Sequence, residues 1–512
     1  MSAPAGPPQG RASQTPERAQ PANRTHLLPQ EGGRGEGTPS LPASAKDHAL
    51  LQQLLQRLER LEARNTELEK EVKTLKSERE ALGKGLDSER ISQYEPEITA
   101  RLKAVEKDVL DMKKPAKLAE KLDGIAVGAG LVTVAQGVSG LPEGAQGASQ
   151  LNYRADVTVE LPLEEWGGVE HKLFGHVRIG QGLGLNTSLG NLGHFASAPN
   201  AVAFRASGAS PDDSVAVLGQ AWYQATIPLP FGGFKQYSKE KLELTFGKMD
   251  IFGFFDQNDA AADEATQFLN SVFVHNPLLD AGGEVGVDAN GFQPGFIASY
   301  LNETNKTEPW RVTLGVFGAG DEGSNYQRSL SAPLVMLQAE KHLRLFGGLG
   351  GNYRAYAWSR DRAARLDGTR TERHSGWGIS IDQRVDEGIT LFARYGHLLK
   401  GDLPFRQALA AGAQINGSSW GRGADALGLG LAWLKASSAY RELGGGGDLD
   451  GDGVPDYSFA PAGAERVAEL YYRYRLTPQF EISPDLQWIR RGGANPEAKD
   501  VKVFGLRASL SY

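Results

Sequence analysis

The 512 residues include no cysteine, which excludes disulfides, thiolate zinc sites, iron–sulfur clusters and cysteine nucleophiles together. No apolar run reaches the roughly eighteen residues a transmembrane helix requires. A membrane barrel passes that test untouched, because its strands hide in an ordinary average hydropathy. Positive charge does not dominate: 55 basic against 62 acidic residues leave a net −7, so nucleic acid is not an expected partner. The opening Met1-Ser2-Ala3-Pro4-Ala5-Gly6 has neither the charged nor the apolar part of a secretory signal. That leaves a removed signal, a misassigned start or a protein that is not exported.

Enzyme motifs are also wanting. Gly417-Ser418-Ser419-Trp420-Gly421 has the spacing of a nucleophile elbow, but that chemistry needs a histidine base later in the chain. No histidine follows His397. The nine histidines show no H-E-x-x-H or similar cluster, so a catalytic zinc site has no support. The glycines near Gly180, Gly182 and Leu345 lack a βαβ setting for a dinucleotide. No enzymatic activity is expected.

What is present divides the chain into three: residues 1–45, 46–120 and 121–512. The first stretch, rich in Pro, Gly, Ser, Gln and Arg, cannot bury enough apolar surface to offset its ordering entropy and reads as a disordered leader. Heptads begin at Leu51, with Leu51, Leu58, Asn65, Val72, Arg79 and Leu86 at a and Leu54, Leu61, Leu68, Leu75 and Leu82 at d. About five heptads of this kind predict an α-helical coiled coil. The flanking pairs Arg57–Glu62, Arg64–Glu69 and Glu71–Lys76 are opposite in sign, as a parallel homo-oligomer requires. Asn65 at a leans toward a dimer and a barrel above it toward a trimer; the trimer is favoured. Beyond the heptads, Pro96 and Pro115 break the helix into pieces.

From Gln150 onward the period becomes two. Leu151, Tyr153, Ala155 and Val157 alternate with Asn152, Arg154, Asp156 and Thr158; Leu470, Tyr472 and Tyr474 with Glu469, Tyr471, Arg473 and Arg475; Phe504, Leu506 and Leu510 with Gly505, Arg507 and Ser509. These are strands with one apolar and one polar face. Three features place the apolar face against lipid. The strands run about ten residues, the length that crosses a tilted bilayer span. Short turns, Val385-Asp386-Glu387-Gly388 and Leu476-Thr477-Pro478-Gln479, coexist with long polar connections. Aromatics such as Trp377, Trp433, Trp488 and Tyr512 fall on the apolar faces, several near strand ends, as a girdle would.

The polar faces interleave both signs. Arg178, Arg354, Tyr356, Trp358, Asp382, Arg384, Arg394, Glu469, Arg473 and Asp485 are the candidates for lining a pore and meeting solute. Guanidinium, phenol and indole groups on one strand, as at Arg354, Tyr356 and Trp358, supply donors for hydroxyls and flat rings for C–H faces. A separate acidic run places Asp448, Asp450, Asp452 and Asp456 at alternate positions with Gly453 sixth, the first half of a calcium loop. Phe459 stands where the twelfth-position acid belongs, so any bound Ca2+ would be held weakly; no other cofactor is expected.

Several ordered segments resemble the carbohydrate-selective porin family of the OprB type. They are Lys248-Met249-Asp250, Phe255-Asp256-Gln257-Asn258, Thr266-Gln267-Phe268-Leu269, Gly351-Asn352-Tyr353-Arg354, Ile379-Ser380-Ile381-Asp382-Gln383, Phe392-Ala393-Arg394-Tyr395-Gly396, Trp420-Gly421-Arg422-Gly423-Ala424-Asp425, Ser483-Pro484-Asp485-Leu486-Gln487 and Gly505-Leu506-Arg507. The resemblance implies an all-β transmembrane barrel of about sixteen antiparallel strands, located in the outer membrane. It also implies export, and passive diffusion of sugars or small polar solutes. The coiled coil is not part of that pattern and reads as a periplasmic addition. Partners under this reading are solutes, outer-membrane lipid and further copies of the chain. An alternative makes the protein an envelope spacer, with the coiled coil reaching the cell wall and the barrel as its anchor. Residues 257–291 resist assignment as strands.

Overall fold

The computed structural model describes residues 124–140, 149–185, 197–204, 213–231, 238–280, 292–318, 331–366, 371–444 and 459–512, together with Lys70, Lys73 and Thr74. Those last three are helical and exposed, and the Thr74 hydroxyl donates to the Lys70 carbonyl (2.9 Å). The rest of the heptad segment, and the acidic run 448–456, lie outside the described residues.

Alternation in the sequence becomes sixteen strands. They are β1 (Ala126–Ser139), β2 (Ser149–Trp166), β3 (Val169–Gln181), β4 (Val215–Pro228), β5 (Glu240–Asp250), β6 (Phe292–Asn302), β7 (Trp310–Phe317) and β8 (Leu334–Leu345). The second half comprises β9 (Leu349–Ala364), β10 (Thr371–Asp386), β11 (Ile389–Lys400), β12 (Phe405–Gly417), β13 (Arg422–Ala436), β14 (Ala464–Arg475), β15 (Phe480–Arg490) and β16 (Val501–Ser511). Each pairs with its sequence neighbour, and β1 pairs antiparallel with β16, closing the barrel. Closure leaves no free strand edge to satisfy. The seam is extended by Ala129 and Tyr512, whose N–H groups donate to each other's carbonyls at 3.0 and 2.8 Å.

The two ends of the barrel differ as the turns predict. At one end β2 and β3 are joined by Gly167-Gly168, both at positive φ, the conformation a two-residue hairpin needs. The connections 346–348, 387–388, 418–421 and 476–479 lie at the same end. At the other end the connections 182–214, 251–291 and 437–463 are long. Short turns on one side and long loops on the other are the plan of an outer-membrane barrel.

Side-chain placement is inverted relative to a water-soluble protein. Leu151, Leu431, Phe504 and Leu506 point outward, with Leu431 59% exposed, while Arg354, Arg394, Glu469 and Arg507 are buried inside. An exposed apolar band of this extent is stable only against lipid. At the short-turn end the band is edged by aromatic pairs: Tyr300 with Trp310 (centroids 5.2 Å) and Trp420 with Tyr472 (6.2 Å). Trp420 Nε1 also donates to the Tyr472 hydroxyl at 3.1 Å.

Candidate functional site: the lumen and its infolded segment

The stretch that resisted strand assignment explains itself once its polar residues are followed. Between β5 and β6, residues 251–280 fold as successive turns, each closed by a short side chain acting on its own backbone. Asp250 accepts from Phe252 N (3.0 Å), Asn258 from Ala260 N (3.1 Å) and Asp263 from Ala265 N (2.9 Å). Asn270 caps the helix Ser271–Val274, and Asn276 accepts from Leu278 N at the start of Pro277–Asp280. Asn and Asp favour such turns because their side chains imitate a backbone acceptor.

The wall opposite this segment is made of small residues. On β11–β13 the inward positions include Gly396, Ala408, Ala410, Gly412, Gly428, Gly430 and Ala432. A Cβ at Gly430 would sit 2.7 Å from the Phe273 ring, and one at Gly428 would sit 2.1 Å from Tyr471. Absence of a side chain therefore makes room for Phe268, which packs on Phe273 (4.8 Å), Phe392 (5.3 Å) and Tyr471 (5.0 Å). Burial of each such ring is worth about 1.5–3 kcal/mol.

Charged residues of the barrel wall then hold the segment's backbone. Arg394 donates to Asp256 Oδ1 (3.0 Å) and to the carbonyls of Phe273 (2.6 Å), Asp256 (3.0 Å) and Ala261 (3.0 Å). Tyr356 donates to the same Asp256 carboxylate at 2.9 Å and accepts from Asn276 Nδ2 at 2.8 Å. Burial pushes the Asp256 carboxyl upward, against the pull of Arg394, Tyr356 and the Asn276 N–H. Arg354 pairs with Asp382 (2.8 Å) and Glu340 (3.4 Å), and Asp382 accepts from Asp259 N (3.2 Å). Glu469 accepts from Leu269 N (2.5 Å) and Asn270 N (2.9 Å), and Asp485 accepts from Gln487 (2.9 Å). Arg507 donates to the Glu264 and Gln267 carbonyls at 2.9 and 2.7 Å. From β2, two strands from Arg507 in the closed sheet, Arg154 reaches Glu264 at 2.7 Å. Burial would raise the Glu264 carboxyl, yet Arg154 and Arg178 hold it below its ordinary value.

A second infolded piece, 197–204, braces the first. Ala201 N donates to the Leu269 carbonyl (2.7 Å) and Ser271 N to Ala198 (2.9 Å), while Gln136 and Gln487 both donate to the Pro199 carbonyl at 2.8 Å.

Other pairs on β2–β7 carry charge of a different kind. Arg178 and His176 share Asp156 (2.6 and 2.7 Å), and Lys172 pairs with Glu160 (3.3 Å) and lies over the Trp222 ring. Arg311 pairs with Glu243. Apart from the buried His176, these side chains remain partly exposed. At the short-turn end, Arg384 and Asp382 help to line a cavity of about 540 Å3 with Asp259, His342, Arg344 and Asn352.

The candidate residues thus separate. Arg354, Tyr356, Asp382, Arg394 and Glu469 bind or brace the infolded segment; Trp358 and Asp485 are buried in the wall beside it. Arg178, Arg384 and Arg473 keep access to the lumen or its mouth, Arg473 standing 3.8 Å from Glu481. The alternation did not reveal Asp256, Asp259, Glu264 and Asn270, which belong to no strand. Their signal was the density of Asn and Asp in the irregular stretch.

A closed sixteen-strand barrel, with polar walls and a loop folded into its lumen, is a porin architecture. Residues 146–512 match the family described as "Carbohydrate-selective porin, OprB family". The chain belongs to that family. Among solved structures it is similar to OprB of Pseudomonas putida (high-pH structure), at 18% identity and a TM-score of 0.59, over 78% of this chain and 97% of that one. Alignments to porin variants of Rh. blastica, such as E1M, A104W, reach 9% identity and a TM-score of 0.41, over 76% of this chain and 100% of the other. No curated protein matches the chain. The OprB family match covers the barrel from just before β2 to the last residue, and the barrel is of the outer-membrane type.

Proposed function

We propose that this OprB-family porin passes carbohydrates and other small polar solutes by passive diffusion. The observation that carries this is the division of the lumen. A pinned segment fills part of it, and partly exposed ion pairs on β2, β3, β5 and β7 remain beside that segment. Such pairs offer donors and acceptors at fixed spacing, which replace part of a sugar's hydration shell and lower its entry barrier. In this reading Arg178, Arg384 and Arg473 meet solute directly. Arg354, Tyr356, Trp358, Asp382, Arg394, Glu469 and Asp485 set the size of the passage through the segment and wall they hold. The N-terminal coiled coil would act as a periplasmic, trimeric module, a role resting on its heptads alone. Nothing among the described residues favours the spacer reading. Conductance of the purified protein in planar bilayers, with liposome swelling in mono- and disaccharides, tests the proposal. Discrete channels through which monosaccharides pass are expected; channels that exclude them would overturn it.

A further inference from the structure

The outward face of the barrel carries a row of basic residues that transport does not use. Arg406 on β12, Lys435 on β13, Arg466 on β14, Arg490 on β15 and Lys502 on β16 are all exposed. Each lies within three residues of its strand's end, and that end is the long-loop end. Arg406 stands at the register shift between Phe405 and Gln407, and the outward neighbours along these strands, Leu409, Leu431, Leu470, Trp488 and Phe504, are exposed and apolar. The row therefore stands where the lipid-facing band meets the headgroup level.

Register makes the row continuous. Arg466 and Arg490 are direct cross-strand partners. Lys435 lies two residues from the partner of Arg466, and Lys502 pairs with Trp488, two residues before Arg490. Direct partners have Cβ atoms about 5 Å apart and diagonal ones about 7–8 Å. Like charges directly opposite one another are unfavourable. Among the described residues the acid within reach is Asp500, 3.7 Å from Arg490 and also bound by Trp488 Nε1 at 3.1 Å. Arg406, Lys435, Arg466 and Lys502 make no ion pair among the described residues. A general ring of interfacial cations would run round the barrel, yet the matching outward positions of β1–β4, among them Ser139, Leu151, Ile179 and Leu218, are uncharged.

We propose that this row binds the phosphates of a phosphorylated glycolipid in the outer leaflet. Five strands at about 4.8 Å spacing give a row roughly 19 Å long, enough to engage more than one phosphate of a single headgroup. Arginine forks grip phosphate oxygens in pairs, and the flanking Trp488 suits the acyl boundary just below. The inference rests on the membrane placement of the barrel with its long loops outward, and not on which solute it passes.

The test uses the full chain in detergent, titrated with a diphosphorylated disaccharide lipid of the lipid A type and read by native mass spectrometry. The dephosphorylated lipid and inorganic phosphate serve as separate probes. The triple variant Arg466→Gln, Arg490→Gln, Lys502→Gln should weaken binding of the diphosphorylated lipid about a hundredfold. The unmodified protein should hold the dephosphorylated lipid at least tenfold more weakly, with inorganic phosphate competing poorly. Equal affinity for the two lipids, or an assembled triple variant that binds as before, would overturn the proposal. Should the triple variant not assemble, Arg466→Lys replaces it: affinity kept within a few-fold and lost as salt rises supports a phosphate contact, and salt-insensitive binding refutes it. Single-channel conductance is recorded alongside. Because these side chains face away from the lumen it should not change, so absence of channels in the unmodified protein would count against the transport reading and leave the lipid result standing.

Discussion

The two halves of the inner wall obey one alternation and come to opposite ends. On β9–β11 the guanidinium of Arg394 and its partner Asp256 are 1% and 0% exposed, and Arg354 with Asp382 4% and 3%. On β5 and β7 Arg311 and Glu243 keep 32% and 16%. The difference is the occupant. Where small residues hollow out the wall, a loop fills the hollow and converts pore charges into anchors. Where no infolded residue is bound, as at Arg311–Glu243 and Lys172–Glu160 toward the short turns, the same kinds of charge stay in contact with solvent. A polar face in a barrel strand thus identifies the lumen side, while its function depends on what the neighbouring loops do.

The most forceful way to break this contrast is Arg394→Ala. It strips the guanidinium from three carbonyls and from the buried Asp256 carboxylate, which keeps only Tyr356 and the Asn276 N–H. Breaking a buried pair from one side costs about 3–5 kcal/mol. The expected outcome is a large loss of heat stability and protease cleavage within 251–280. Channels that still form should be wider and noisier, and Arg394→Lys should recover part of the loss. An Arg394→Ala barrel as stable as the parent, with an altered solute block alone, would mean that Arg394 serves solute and not the segment.

Filling the hollow is the next test. Gly430→Leu places atoms where Phe268 and Phe273 now lie, and overpacking of this kind costs about 1–3 kcal/mol. The segment should lift from the wall, raising conductance, while strand pairing and the outward face persist. Unchanged conductance would show that the segment does not limit the passage.

Much of this architecture could be read from the residues, and the reason is physical. Period-two alternation is a property of the strand itself, so Glu469, Arg473 and Asp485 could be placed on one face and Leu470 and Leu486 on the other without coordinates. Turn chemistry such as Gly167-Gly168 is equally local. Long-range events left no period. That Arg394 meets Asp256, 138 residues away, depends on a loop folding inward through Asn and Asp turns. A string of such turns has the same composition as a solvent-exposed loop. Alternation assigns the glycines of β13 to one face of a strand, and only the Phe268 and Phe273 rings show what they make room for. Family resemblance had touched Asp256 and Gln267 as motif members, without indicating what they bind.

On the open wall the effects should be smaller in stability and larger in selectivity. Arg311→Gln removes one member of a partly exposed pair, for which about 1 kcal/mol or less is expected. It also removes a positive charge from the lumen wall and frees the Glu243 carboxylate. The reversal potential under a salt gradient should shift toward cation preference, with thermal stability nearly unchanged. A stability loss comparable to that of Arg394→Ala would erase the distinction between the two walls.

The smallest effect lies in the segment's response to acid. His275 stacks on Phe252 with centroids 3.8 Å apart and rings within 7°. Burial lowers its pKa from 6.5 to about 3, overriding the opposing pull of Glu264 and assisted by the charge of Arg394. A pKa depressed in the folded state gives stability that is present above the unfolded value and lost as pH falls toward the folded one. For His275 that window runs from about 6.5 down to about 3. Asp256 and Asp259, whose carboxyls burial pushes up, act in the reverse sense, since their contribution is present at low pH and fades as pH rises. The parent protein's response to acid is therefore a partial cancellation, and the difference from His275→Phe isolates the histidine. Phenylalanine keeps the stack on Phe252 and removes the proton site. Its unfolding temperature relative to the parent should be higher at pH 4 than at pH 8. An offset that is the same at both pH values would mean that His275 does not titrate between its folded and unfolded environments, leaving the carboxylates to account for any acid response of the segment.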